Sequence, residues 1–149
     1  MRLSEIRERV LRDHRDLRER VGRVEALSRA ALASASRAES LRDEARALIR
    51  VLEWHIHWED EHLAPALADV DEWGPERLEH MKRDHVEQRD LIRYTASVLD
   101  DPDRALELLA RTTLDLARLL QDDMRDEEGT VLDPSVLRDD VIGVDVETG

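Results

Sequence analysis

Four stretches of this chain return to an apolar residue every third or fourth position, a spacing that fits helix and little else. The first carries Leu3, Ile6, Val10, Leu17, Val21, Val24 and Leu27, with Ser4 as its expected cap ahead of an acidic first turn. It fades in the small-residue run ASASRAES, which reads as a loop. A second stretch starts near Ser40, carries Leu41, Ala45, Leu48, Leu52, Ile56, Leu63 and Leu67, and stops at DVDEWGPE, where Asp, Gly and Pro break the period. Leu78, Met81, Ile92 and Leu99 mark the third, which ends at DDPD. The fourth, with Asp103 as its expected cap, carries Leu106, Leu109, Thr113, Leu116 and Leu120. With only 5 Gly and 4 Pro in 149 residues, the expected fold is all-α, an antiparallel up-down four-helix bundle. The bundle would occupy residues 1–134, and a short, irregular, acidic tail, residues 135–149, would lie on it.

Charge and composition exclude several functions. The net charge of −13 repels nucleic acid and anionic lipid, so neither is expected as a partner. Without cysteine there can be no disulfide, thiolate metal site or cysteine nucleophile. The N-terminus has no apolar leader and no stretch approaches the ~18 apolar residues of a membrane span, so a soluble, cytoplasmic protein is expected.

The informative residues are polar ones in stripe positions. His14 lies four after Val10 and three before Leu17; His55 lies three after Leu52; Glu59 lies four after His55 and four before Leu63. His85 falls four after Met81, Asp123 three after Leu120, and Glu127 four after Asp123. Each helix thus turns titratable groups toward the same axis. Burying such groups unpaired costs several kcal/mol each, and divalent cations would satisfy three buried carboxylates better than hydrogen bonds alone. The i, i+4 pairs His55/Glu59 and Asp123/Glu127 place two side chains on one helix face, a turn apart, where both can reach one metal. One such histidine alone would most often be a satisfied core residue; the joint pattern argues for metal.

Internal repetition sharpens that argument. RDHRDL (residues 12–17) and RDHVEQRDL (83–91) share an Arg-Asp-His opening, with the histidines 71 residues apart. Leu52-x-x-His55-x-x-x-Glu59 matches Leu120-x-x-Asp123-x-x-x-Glu127 at an offset of 68. Two similar helical hairpins would pack as a pseudo-twofold pair with their polar residues meeting at the centre. His57, His62 and His80 lie off the best stripes and are left out of the ligand set, although Glu61 or His62 could relay protons. Trp54 and Trp58 are expected at a helix–helix seam.

Taken in order, LRDHRDLR, LEWHIHWEDEHLAPAL, MKRDHVEQRDLI and LLQDDMRDEEGTVLDP resemble the hemerythrin-like HHE domains over roughly residues 8–134. The resemblance implies a non-haem di-iron site, with His14, His55, His85 and Asp123 as terminal ligands and Glu59 and Glu127 bridging. Its two iron ions would be joined by carboxylate or as Fe-O-Fe, with manganese or zinc as the other metals such ligands accept. Two positions depart from the family. Asp123 stands where a histidine belongs, and Met81 stands where oxygen carriers have a second histidine of the third helix. More carboxylate favours the oxidised irons and moves the site toward the carboxylate-rich di-iron oxidases.

The expected function is therefore a cytoplasmic di-iron oxidoreductase reacting with dioxygen or peroxide, as a small oxidase or a peroxide-consuming enzyme. A small-molecule substrate or a redox partner would complete the reaction, with Thr113, Leu120, Met81 and Ile92 lining any substrate pocket. The alternatives are an iron or oxygen sensor without turnover, a zinc or manganese protein, and a metal-free interaction bundle.

Overall fold

The computed structural model describes residues 1–139, and they are helical with no strand among them. Helix α1 spans Leu3–Ala33 and a single 3-10 turn, Ala35–Arg37, leads into α2, Ala38–Trp58. A π-helical turn, Glu59–Leu63, joins α2 to the short α3, Ala64–Val70. Two long helices follow, α4 over Gly74–Leu99 and α5 over Leu106–Gly129. Helix α1 packs on both α2 and α5, and α4 packs on α5, α3 and α2, which makes a helical bundle. Residues 140–149 of the expected tail lie outside the described residues.

The apolar stripes form two cores with a polar layer between them. One core gathers Leu17, Val21, Leu48, Leu52, Ile92, Leu116, Leu120 and their neighbours. The other gathers Leu3, Ile6, Val10, Trp58, Leu63, Leu67, Met81 and, from the segment after α5, Val131, Leu132, Val136 and Leu137. His14 sits on α1 between Val10 of one core and Leu17 of the other, and His85 sits on α4 between Met81 and Ile92.

Several local expectations are corrected. Ser4 does not cap α1: it lies inside the first turn, where its amide and hydroxyl both donate to Asp139. A residue after Pro134 thus satisfies a donor that the first turn of any helix leaves unpaired. Asp103 does not cap the last helix either, because α5 starts at Leu106 with Ala105 flanking it, and the Asp103 amide donates to Asp101 Oδ1 within the preceding turn. Of the two tryptophans expected at a seam, Trp58 is buried and Arg9 lies over its ring at 4.9 Å, whereas Trp54 is 63% exposed. Thr113 and Ile92 belong to the apolar half away from the polar layer, Thr113 hydrogen-bonded to Ser28 at 2.7 Å. Of the four expected pocket residues only Leu120 lines the cavity at the polar layer.

The π turn has a local cause. Pro65 has no amide proton, so the ladder is already interrupted there, and the preceding Ala64 N–H reaches back five residues to Glu59 O. The tight α3–α4 junction depends on Gly74, where an added Cβ would lie 2.0 Å from Leu67 O. Backbone atoms cannot yield as a flexible side chain can. Gly74→Ala is therefore expected to lower the free energy of unfolding by about 3 kcal/mol in a urea titration.

Candidate metal centre

The polar layer brings four of the candidate residues into one cluster. Donor atoms of His14, His55, Glu59 and Glu127 all lie within 4.8 Å of one another. Glu59 is the hub: its Oε1 is 2.5 Å from His55 Nε2 and 3.9 Å from His14 Nε2, and its Oε2 is 2.9 Å from His85 Nε2. Glu127 Oε1 lies 3.3 Å from His14 Nε2. Yet Glu59 Oε1 and Glu127 Oε1 are both buried without a hydrogen-bond partner. Two orphaned anionic oxygens facing imidazole nitrogens are what a cation between them would resolve.

Each of the three histidines is held from behind in the same way. His14 Nδ1 donates to Glu128 at 3.0 Å, and Glu128 accepts from Arg18. His55 Nδ1 faces Asp13 at 3.4 Å, and Asp13 accepts from Arg9 at 3.1 Å. His85 Nδ1 donates to Asp60 at 2.7 Å, and Asp60 accepts from Arg89. An Nδ1–H fixed on a carboxylate turns Nε2 inward and makes it a better donor to metal. None of Asp13, Asp60 and Glu128 stands on an apolar stripe, so periodicity could not single them out. Each does sit one residue from a candidate ligand.

The family model of the hemerythrin HHE cation binding domain matches residues 5–133. The chain belongs to that hemerythrin HHE family. Comparison with curated proteins and with solved structures gave no match.

Within this HHE domain, the other candidates fall around the cluster. His85 is buried and reaches it through Glu59. Asp123 is half-buried and lines the same cavity, about 20 Å³ in volume, but its Oδ2 accepts from Gln88 Nε2 at 2.8 Å. Gln88 is 8% exposed and occupies the α4 stripe between His85 and Ile92, where an amide by itself gives no sign of a metal site. Met81 is buried in the apolar core and does not line this cavity. His57 is exposed against Glu61 at 3.1 Å, and His62 stacks on Trp58 at 4.6 Å. His80 lies outside with Asp126 at 2.9 Å and Asp84 at 3.5 Å, two exposed residues beside a half-buried one.

Proton affinities follow from this packing. Burial disfavours a charged ring at His14, but Glu127 and Glu59 outweigh it and raise the group to about 9. Burial likewise opposes charge on His55, and Glu59 with Asp13 raises it to about 10. Glu127 is pushed up to about 7 by burial and by the charge of Glu59. Burial also raises Asp123, to about 6, with Asp84 and Glu87 adding to it against the Gln88 hydrogen bond. Glu59 is buried too, yet the three histidines hold it well below the usual carboxylate range. Without metal, protons occupy the cluster where a cation fits.

Proposed function

We propose that this HHE domain is a cytoplasmic non-haem di-iron oxidoreductase that reacts with dioxygen or peroxide. The short connections between long helices favour an antiparallel up-down bundle over residues 1–134, with the two ions at its polar layer. The observation that carries the metal reading is the pair of buried, unpartnered oxygens on Glu59 and Glu127 among three anchored imidazoles. His14, His55, His85 and Asp123 would be the terminal donors, with Glu59 and Glu127 between the ions. A ferrous pair held there would supply two electrons, enough with two protons to turn one hydrogen peroxide into two waters, and an external reductant would restore it.

The chain's own residues set the conditions for that chemistry. Leu17, Leu52, Leu120 and Met124 line the cavity and keep bulk water from the donors. Asp123 and Glu127, both with raised proton affinity in the metal-free protein, would release their protons as they bind the ions. Carboxylate at position 123 instead of imidazole favours the oxidised state over reversible oxygen storage. None of the helices among the described residues is long and apolar enough to cross a membrane.

The test is consumption of dioxygen and of peroxide by iron-loaded protein given a reductant. Turnover is expected with at least one of them, and Asp123→His should slow oxidation of the ferrous protein by air several-fold. Tightly bound iron with no consumption of either oxidant would instead favour a sensor.

A further inference from the structure

Matching the two halves of the repeat residue by residue shows where they part. At offset 71, His14 and Arg18 correspond to His85 and Arg89; at offset 68, Asp60 corresponds to Glu128. The chain His14–Glu128–Arg18 in one half is therefore His85–Asp60–Arg89 in the other, and both are intact. The remaining chain, Arg9–Asp13–His55, maps by the same offsets onto His80–Asp84–Asp123. Its inner imidazole has become a carboxylate and its outer guanidinium an imidazole. Asp84 pairs outward with His80 at 3.5 Å, and Asp123 takes the Gln88 amide at 2.8 Å. The His80–Asp84 pair thus stands where Arg9–Asp13 stands behind His55 in the other half.

We infer that the centre holds its two metal ions unequally, one tightly on His14 and His55 and one weakly and exchangeably on His85 and Asp123, with Glu59 and Glu127 shared between them. The inference rests on the metal-centre reading above. The first place has two imidazoles anchored at Nδ1 and both orphaned carboxylate oxygens. These four line a cavity of about 20 Å³, with Asp123 and Gln88 on its wall, and it has room for one water-sized species. The second place has one anchored imidazole, already turned onto Glu59, and a carboxylate that must first leave Gln88. Met81, one turn before His85, has only a thioether, a poor donor for iron, manganese or cobalt. Two-electron chemistry needs both places filled, so activity would follow the free ferrous ion level.

Calorimetry and visible absorption during Co²⁺ titration of the chelator-treated full chain test this. Two binding steps are expected, with Kd values at least about tenfold apart, the scale on which anchoring of a ligand changes affinity. His85→Ala should remove the weak step and leave the tight one within a few-fold. Asp123→His should tighten the weak step by about tenfold, because Asp84 is placed to anchor the new ring, and adding Asp84→Asn should cancel that gain. A single step for both ions, equal weakening of both by His85→Ala, or no response to Asp123→His would overturn the inference. Failure of the unmodified protein to bind Co²⁺ at all would overturn the metal-centre reading beneath it.

Discussion

Stripped of metal, the protein should lose stability steadily as pH rises from about 5 to about 10, and the metal-loaded protein should do the opposite over the acid side. The sign follows from the cluster. His14 and His55 have folded values of about 9 and 10 against 6.5 unfolded, so their contribution is complete below 6.5 and is lost as pH climbs through the folded values. Glu127 and Asp123, at about 7 and 6, bind protons in the folded state that the unfolded chain has released, which also makes alkali destabilising. Glu59 works the other way, since its charge stabilises the fold and is lost only in acid. For His14 alone the change is on the order of 3 kcal/mol. Bound metal reverses the acid limb, because protons compete with the ion for the same donors. Urea titrations between pH 5 and 9, with and without chelator, measure both curves. Superimposable curves would mean that these residues neither hold metal nor titrate together.

The second large effect is expected at Glu59. It touches His14, His55 and His85, and no other carboxylate in the layer reaches all three. Glu59→Gln keeps the shape but removes the one carboxylate that the three buried imidazoles share. Metal affinity should fall by more than about a hundredfold, the upper end for residues that merely support a ligand. In the metal-free variant the three rings keep only the carboxylates at Nδ1 and lose the shared inner charge, so their proton affinities should drop. Imidazole NMR signals followed against pH would show it. Unchanged metal content and unchanged histidine titration would remove Glu59 from the centre.

The helical period and the family resemblance made the fold class legible, because long amphipathic stripes with few breakers leave little choice. The polar interruptions of those stripes were legible for the same reason: His14, His55, Glu59 and His85 occupy positions that the apolar pattern sends inward, and all four are buried. What escaped was everything the stripe does not specify. Asp13, Asp60 and Glu128 approach the histidines from the flanks of their helices, and their partners are the half-buried Arg9 and the exposed Arg89 and Arg18. Gln88 is on a stripe, but an amide there carries no metal signal until Asp123 is seen against it. The π turn depends on a proline whose effect falls on the residues before it. The cap at Ser4 failed because a tertiary contact claims its hydroxyl, and the cap at Asp103 failed because α5 begins only at Leu106, past the turn in which the Asp103 amide donates to Asp101.

The central claim is that a metal sits in the buried layer, and anomalous diffraction at the iron edge tests it most directly. Crystals of protein produced with iron supplied should show density between His14, His55, Glu59 and Glu127, with a second, weaker peak toward His85 and Asp123. Anomalous density confined to His80, Asp84 and Asp126, or none at all in the buried layer, would contradict it.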